Sequence, residues 1–318
     1  MNVAIDLEAP PTFSAIVPTF NDTSAIGEAL STLASQTEPL LEILVVDDGS
    51  TDGRADTLAA IVAATAGARL IRLPVNRGVV AALNVGLAEA AGDFVVLCSA
   101  NDRYDARLVE HSRRLLARHP ALEAITGNAL VWNDARHAAA PGLRPVSASP
   151  AAFSFDDLVR ACRRSPQFVA TGYVIRRERA LAFGGLDPAL RWHSDWFLFA
   201  VIAFTSGYGF VPETFSTMTM SAGPRYSDGV LDWTQERIVL RSLVERLNAL
   251  PVAAEGFRRA ALLPRYDLRA LWLLRHRDVR WMLTPLLVWR TLVHSASYWL
   301  KDRVPRSVVL RFRSWVRS

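Results

Sequence analysis

Two cysteines, Cys98 and Cys162, are all that the 318-residue chain contains. Two such residues make no disulfide framework and no metal-ligand spacing. Both fall in apolar surroundings, so buried thiols in a reducing compartment are expected. Long apolar runs are missing too. No window reaches the roughly eighteen uninterrupted apolar residues of a membrane span, and the nearest, Trp281–Trp289, is about half that length and ends at Arg290. The first residues carry no basic region leading into an apolar stretch, so secretion is not indicated and a cytoplasmic chain is expected. The common phosphate-binding loops are absent. No G-x-G-x-x-G follows the first apolar segment, and no G-x-x-x-x-G-K-[ST] stands anywhere. Lysine occurs once, at Lys301, and the remaining cations are arginine, a compositional bias rather than a functional signal.

With 51% hydrophobic and 21% charged residues, the chain can bury a sizeable core and is not a disordered one. Its formal charge of +5 hides an asymmetry. From Gly256 to Ser318, fourteen Arg or Lys residues stand against three Asp, a local net of +11 that leaves about −6 on the preceding part. A mildly acidic body with a basic end is unlike a nucleic-acid-binding domain, whose basic face lies on the folded module itself, so no nucleic-acid partner is expected.

The first third of the chain alternates strand and helix. Phe13–Val17 reads as a strand stopped by Pro18, and Asp22-Thr23 can cap a helix carrying Ile26, Leu30 and Leu33. Ile43–Val46 is a second strand, followed by a helix with Leu58, Ile61 and Val62. Leu70–Leu73 is a third, followed by a helix through Val80, Leu83 and Leu87. Phe94–Cys98 is a fourth, with a helix marked by Leu108, Leu115 and Leu116 after it. Four such alternations specify an α/β fold: a Rossmann-like, mostly parallel sheet with helices on both faces. Every strand then delivers its polar loop to the same edge, where open α/β sheets bind ligands. Pro18-Thr19-Phe20-Asn21, Asp47-Asp48-Gly49-Ser50 and Ser99-Ala100-Asn101-Asp102 converge there.

What that edge offers is carboxylates, hydroxyls and one aromatic ring. Carboxylates repel bare phosphates, so a phosphorylated ligand needs a divalent cation, and oxygen ligands suit Mg²⁺ or Mn²⁺. Asp48 could instead accept from a nucleobase imide or a ribose hydroxyl. The plain structural alternatives are a turn with a helix cap at Ser50 or Asp52 and, for Asp102, a cap on the next helix. Two adjacent carboxylates exceed what a turn needs.

These residues, with Asn76-Arg77-Gly78 and Asn84, resemble the family 2 glycosyltransferases of the GT-A fold over roughly Phe13 to Thr219. The resemblance implies a GT-A sheet, a nucleotide-diphospho-sugar donor, a divalent metal and inversion at the anomeric carbon. It places the nucleotide on Pro18, Thr19, Phe20, Asn21 and Asp48, with Phe20 and Asp48 on the base. Asn101 takes a ribose or phosphate contact and Asp102 the Mn²⁺ or Mg²⁺. The chain departs from the family's Asp-x-Asp-Asp pattern, keeping only the last acid. It also has Leu83 where many members carry an arginine.

Further on, Ala138–Pro150 is rich in Ala, Pro and Ser and reads as a surface loop. A helix over Phe155–Cys162, a strand over Gly172–Ile175 and a helix over Arg177–Phe183 precede the turn Gly184-Gly185-Leu186-Asp187. Trp192-His193-Ser194-Asp195 then leads into an apolar helix through Phe204. Matched by order to the family's acidic residue after Gly-Gly-x-Asp, Asp195 is implied to be the general base. The chemistry asks for one, because an attacking hydroxyl must lose its proton. The competing role for Asp195 is a helix cap, with Ser194 as the alternative cap. Trp192 and His193 are acceptor-site candidates: a ring to stack on a sugar, and a second base. A Trp at a core edge and a solvated His are the commoner situations. Phe210–Glu213 and Ser216–Met220 read as short strands, Arg225 as a cation able to reach a donor phosphate, and Trp233–Leu247 as an amphipathic helix through Ile238, Leu243 and Leu247.

The expected organisation is a catalytic domain over 1–250, with a nucleotide-sugar half at about 13–132 and an acceptor half at about 150–250. A basic, Trp-rich helical extension follows over 251–318. The extension's composition suits helices lying in a membrane interface at the cytoplasmic face. A helical appendage packed on the domain, or an oligomer contact, fits the same residues. The function expected is transfer of a sugar to a carbohydrate or lipid-linked hydroxyl acceptor, in cell-surface polysaccharide or glycolipid synthesis. The alternatives are a non-catalytic membrane-associated scaffold of the same fold, favoured by the reduced acidic motif, and a sugar nucleotidyltransferase. The last lacks the Gly-rich, Lys/Arg-bearing loop after its first strand.

Overall fold

The structure, a computed structural model, describes residues 9–133, 138–142, 145–165, 171–220, 226–264 and 266–301. In chain order the elements begin with β1 (Phe13–Thr19), α1 (Ile26–Ala34), β2 (Glu42–Asp47), α2 (Ala55–Ala63), β3 (Ala68–Arg72), α3 (Val79–Glu89), β4 (Phe94–Leu97), β5 (Arg103–Tyr104) and α4 (Leu108–Arg118). Then come β6 (Ala124–Asn133), β7 (Ala138–Pro141), β8 (Ala151–Phe153), α5 (Phe155–Arg164), β9 (Tyr173–Arg176), α6 (Arg177–Ala182) and a 3-10 helix over Pro188–His193. They are followed by α7 (Ser194–Ser206), β10 (Tyr208–Met220), a second 3-10 helix (Tyr226–Leu231), α8 (Trp233–Leu247), α9 (Pro251–Ala260), α10 (Leu268–Leu273), a third 3-10 helix (Arg280–Met282) and α11 (Pro285–Lys301). The chain divides into two compact units. One comprises Met1–Ala152, Val169–Leu186 and Gly209–Ala222, and the other Phe153–Phe168, Asp187–Tyr208 and Gly223–Ser318.

The first unit is organised around a sheet ordered β3-β2-β1-β4-β9-β6-β10-β5. β3, β2, β1 and β4 run parallel, as the alternation predicts. β9 joins β4 antiparallel and β6 joins β9 antiparallel, so the sheet is mixed. All seven residues of β1 are buried, which is the signature of a central strand covered on both sides. Phe13, Ala15 and Val17 share one core with Ile26, Leu30 and Leu33 of α1. Ile16 faces the other way, against α3. There a Cβ on Gly86 would lie 2.3 Å from Ile16 Cγ2, so only glycine lets α3 approach so closely.

The second unit is helical. α7 buries eight consecutive residues, Phe197–Phe204, and reads as apolar all round because it is surrounded. Phe257 of α9, fully buried, meets Trp196, Phe197 and Phe204 of α7 at ring separations of 5.7, 6.2 and 5.7 Å. Gly256 permits that contact, since a Cβ there would sit 2.4 Å from the Phe204 ring. Arg290 of α11 donates to the carbonyls of Cys162, Arg163, Ala260 and Ala261, at the C-termini of α5 and α9. A cation placed there satisfies orphan carbonyls and complements both helix dipoles. No helix among the described residues is long and apolar enough to cross a membrane.

Several local expectations change. Pro18 does not stop β1, which continues to Thr19, because β1's partner β2 keeps register through Pro18 opposite Val46. Asp22 and Thr23 do not cap α1, whose N-cap is Ala25 without a side-chain bond, and neither Ser50 nor Asp52 caps α2, which starts after Arg54. Ala138–Pro141, read as loop, pairs with β6 as an edge strand, a position where proline is tolerated. The two short strands expected over 210–220 are one 13-residue strand. On α8, Ile238 is exposed and the buried stripe runs through Glu236, Val239, Leu240, Leu243, Val244 and Leu247. The expected phosphate contact Arg225 lies outside the described residues.

Candidate active site

The carboxyl ends of β1 and β2 are set side by side, with Thr19 opposite Asp47. Their loops are fastened to one another. Asp47, fully buried, accepts from the Ser50 amide (3.0 Å) and hydroxyl (2.6 Å) through one oxygen and from Arg72 Nε (3.0 Å) through the other. Asp48, almost fully buried, donates its own N–H to Thr19 O at 2.9 Å. Its two carboxylate oxygens accept from the amides of Arg77 (2.8 Å) and Gly78 (2.7 Å). One lone pair on each oxygen therefore goes to ordering the third loop. Gly49, at φ +70°, lets the second loop touch the third, because a Cβ there would stand 2.6 Å from Val75 C.

Asn21 adds a clasp. Its Oδ1 accepts from Thr51 N (2.8 Å) and Asp52 N (3.2 Å), its N–H donates to Ser50 Oγ (2.9 Å), and its φ of 52° is one that Asn tolerates better than most residues. Pro18 is buried inside β1, and Thr19 Oγ1 donates to Asp22 O. Phe20, by contrast, is 40% exposed, an uncommitted aromatic ring beside this bracing.

The loop after β4 has its own network. Ser99 Oγ donates to Asn101 Oδ1 (2.7 Å), and Tyr104 OH accepts from the Ser99 amide (2.6 Å). Asn101 Nδ2 reaches Thr219 O (3.4 Å), while Thr219 N donates to Asp102 Oδ1 (2.9 Å), so the end of β10 ties this loop down. Asp102 is 3% exposed, and burial pushes its pKa up to about 6 against the opposing bonds from the Thr219 amide and the Thr171 hydroxyl.

No group of three or more His, Cys, Asp or Glu able to hold a metal occurs among the described residues. With Asp47 committed to Ser50 and Arg72, and Asp48 to the third loop, Asp102 is the acid left for a cation at the β4 loop. One carboxylate plus donor phosphates and waters is a set that Mg²⁺ can use. The fit is to that sparse form alone.

Asn84 and the Gly184-Gly185 turn also meet. Asn84 Nδ2 donates to Leu186 O and its Oδ1 accepts from Leu186 N, both at 2.8 Å. That two-point clamp fixes the turn on α3.

In the helical unit, Trp192, His193 and Asp195 sit on the turn that opens α7. Trp192 Nε1 donates to Glu236 Oε2 (2.8 Å), and His193 Nε2 lies 3.0 Å from Glu236 Oε1. The indole is further enclosed by Arg191 over its ring at 5.8 Å, by Tyr226 edge-on at 6.2 Å, and by Gly229, where a Cβ would lie 2.2 Å away. His193 is buried. Ser194 Oγ turns back to Arg191 O (2.6 Å), so it does not cap α7, whose N-cap, His193, makes no side-chain bond.

Asp195 Oδ1 accepts from the adjacent Trp196 amide (2.7 Å), and its second oxygen has no protein hydrogen-bond donor among the described residues. Burial pushes its pKa up to about 6, with the Trp196 amide and His193 pulling the other way. A partly buried carboxylate with a spare oxygen and a pKa near neutrality can accept a proton from a hydroxyl. Glu236 escaped the sequence reading, although its spacing to Leu240, Leu243 and Leu247 places it on the apolar stripe of α8. A charged residue on a buried stripe is the signal that marks it.

Comparison with known proteins gives this arrangement relatives. Residues 14–127 match the model described as Glycosyl transferase family 2. A "PGL/p-HBAD biosynthesis glycosyltransferase" of Mycobacterium tuberculosis is 32% identical over 125 residues, 39% of this chain and 48% of that protein. The "Putative teichuronic acid biosynthesis glycosyltransferase TuaG" of Bacillus subtilis is 27% identical over 124 residues, 39% of this chain and 49% of its own. The chain thus spans about half the length of these curated relatives. Among solved structures, S. aureus TarS 1-349 in complex with UDP-GlcNAc superposes with a TM-score of 0.65 at 18% identity, covering 79% of this chain and 70% of that one. The fold is of the GT-A type.

Proposed function

We propose that this chain, whose residues 14–127 match the model described as Glycosyl transferase family 2, moves a sugar from a nucleotide-diphosphate donor to a hydroxyl acceptor, with inversion at the anomeric carbon. The observation that carries the chemical part is the Asp195 carboxylate, held through Oδ1 alone with its pKa raised to about 6. The acceptor oxygen bonds to the anomeric carbon as the bond from that carbon to the phosphate oxygen breaks. The nucleoside diphosphate departs with the electron pair, and the acceptor's proton passes to Asp195. Proton transfer to a positioned carboxylate contributes on the order of 10²–10⁴ in rate.

The braced loops take the nucleotide. Phe20 offers its exposed face to the base, and Asp48, Asn21 and Thr19 keep the loop geometry that presents it. Asn101 takes a ribose or phosphate oxygen. Asp102 would hold Mg²⁺ or Mn²⁺, and such an ion supplies positive charge against the departing diphosphate. The acceptor is a carbohydrate or lipid-linked alcohol. Exposed Trp289 and Leu292 on α11, beside the arginine-rich end, support a reading in which the chain reaches that acceptor at a membrane surface. Liposome co-sedimentation of the full chain and of Trp289→Ser/Leu292→Ser, which changes only exposed side chains, tests that reading, and equal binding would remove it.

The decisive experiment on the donor is thermal unfolding with UDP, GDP or dTDP, each with and without Mn²⁺, in wild type and Asp102→Ala. A ligand that binds the native state raises the midpoint by mass action. A metal-dependent nucleotide shift lost in Asp102→Ala is the expected result. No shift with any nucleotide in wild type would sink the proposal.

A further inference from the structure

Glu236 is 0% exposed, yet no Arg or Lys reaches it among its hydrogen-bond and ion-pair partners. A carboxylate removed from water at that depth is retained only where its acceptor capacity is used. Both oxygens are used here, and both by the turn that carries Asp195: Trp192 Nε1 at 2.8 Å and His193 Nε2 at 3.0 Å. The contact to Oε1 leaves the donor open between the ring and the carboxyl group, and a carboxylate, which only accepts, is matched by an Nε2 that carries the proton.

A second, independent observation concerns the backbone between these residues. Arg191 stands at φ 45°, ψ −119°, a conformation that a side-chain-bearing residue adopts only when its surroundings impose it. Those surroundings come largely from α8. Arg191 Nη1 donates to Gln235 Oε1 at 2.5 Å, and the next residue along α8 is Glu236. Ser194 Oγ closes the turn on Arg191 O at 2.6 Å. The opening residues of α8 are themselves anchored, because Asp232 caps the helix by accepting from Thr234 N. The Arg191 side chain and the two ring donors are therefore held from one helix end, and Ser194 ties the start of α7 back to Arg191.

We infer that Glu236 is the positioning residue of this turn: by accepting from Trp192 and His193 it fixes the His193 proton on Nε2 and holds the strained Arg191–Ser194 backbone that presents the Asp195 carboxylate. The inference rests on the reading of Asp195 as the proton acceptor. Glu236 touches no reacting atom. Its contribution is to keep Asp195 in one orientation, and a misplacement of about 1 Å at a reacting group can cost on the order of 10²-fold in rate.

The test uses the full chain and the isosteric change Glu236→Gln. Imidazole ¹⁵N spectra at mildly alkaline pH, with His193→Asn to assign the resonance, read the proton position. Wild type is expected to carry it on Nε2, and Glu236→Gln to give a mixture of tautomers, because a carboxamide both donates and accepts. In parallel, hydrolysis of UDP-GlcNAc, UDP-glucose or GDP-mannose, with water as acceptor, reads turnover. Glu236→Gln is expected to lower kcat by about 10–100-fold with donor KM and the nucleotide-induced thermal shift unchanged. Trp192→Phe, which removes one donor and leaves the histidine bond, is expected to lose several-fold in kcat while keeping the wild-type His193 spectrum, and it carries the test if Glu236→Gln does not fold.

A wild-type proton on Nδ1 would overturn the inference. So would full turnover in Glu236→Gln, or a kcat loss matched by lost nucleotide binding. If no donor is hydrolysed, the spectra decide alone. Asp195→Asn separates the two ideas. Wild-type turnover in that variant defeats the base assignment, whereas an inactive Asp195→Asn beside a fully active Glu236→Gln defeats this inference only.

Discussion

The acids of the β1 and β2 loops and the acid that opens α7 live in opposite circumstances. Asp47 and Asp48 have every carboxylate oxygen engaged by an amide, a hydroxyl or a guanidinium. Among the described residues, Asp195 accepts from one other residue, through the amide of its neighbour Trp196, and burial holds its pKa near 6. Carboxylates engaged on both oxygens brace the loops into a preformed face, while one engaged through a single oxygen is open to a proton. The α7 turn keeps its strain and leaves one oxygen spare.

The largest effect that could break this contrast is on rate. Asp195→Asn is expected to reduce transfer by about 10²–10⁴-fold with nucleotide-induced stabilisation intact, measured as product formation under saturating donor. Because the base must be ionised, wild-type activity should be lost as pH falls through about 6, tenfold per unit below it. A profile flat from pH 5 to 8 would contradict the assignment.

Next comes Asp48→Ala, which removes the acceptor of the Arg77 amide and one of the two acceptors of the Gly78 amide, the other being Asn76 Oδ1. It should cost roughly 1–3 kcal/mol in urea unfolding, because part-buried amides lose their bonds to a charged group. Asp48→Asn, which keeps one acceptor, should cost about half as much. Equal stability of Asp48→Ala and wild type would show the loop bracing to be ornamental.

The third test reverses sign. Burial raises the folded-state pKa of Asp102 and of Asp195 to about 6, above the ordinary aspartate range, so both take up protons on folding. The wild type therefore loses stability as pH rises through that window. Asp102→Asn and Asp195→Asn should each be more stable than wild type by about 1–2 kcal/mol at pH 7.5, with no advantage at pH 4. Thermal unfolding at the two pH values checks it, and a variant less stable at pH 7.5 would refute the strained-acid picture for that residue.

The smallest expected effect is at the exposed ring. Phe20→Ala should weaken nucleotide binding by about 1 kcal/mol, roughly fivefold, with unchanged stability of the ligand-free chain. Isothermal titration with the nucleotide that gives the largest thermal shift would measure it.

Much of the loop region was legible beforehand. The apolar runs Phe13–Val17, Ile43–Val46 and Phe94–Cys98 announced parallel strands, and parallel strands must deliver their loops to one edge, so the cluster followed from local pattern. What each acid does there did not follow. Asp47 and Asp48 look alike as neighbours, yet one is spent on Ser50 and Arg72 and the other on a loop some thirty residues away. Ala138–Pro141 misled because edge pairing, which tolerates proline, is decided by the partner strand β6. Glu236 was visible only as an oddity on an apolar stripe. Nothing near it in the chain names Trp192 or His193, which lie more than forty residues earlier.

By itself the sequence determined the periodicities, and with them the strand–helix alternation, the buried α7, the shared loop edge and the family likeness over residues 14–127. These depend on contacts between near neighbours in the chain, where side-chain spacing decides burial. The tertiary structure alone decided the partners of the polar groups: which acid holds a loop, which keeps an oxygen spare, and which buried glutamate meets Trp192 and His193. A hydrogen bond forms between whichever donor and acceptor the packing brings within about 3 Å, and that coincidence of distant residues has no periodicity to read.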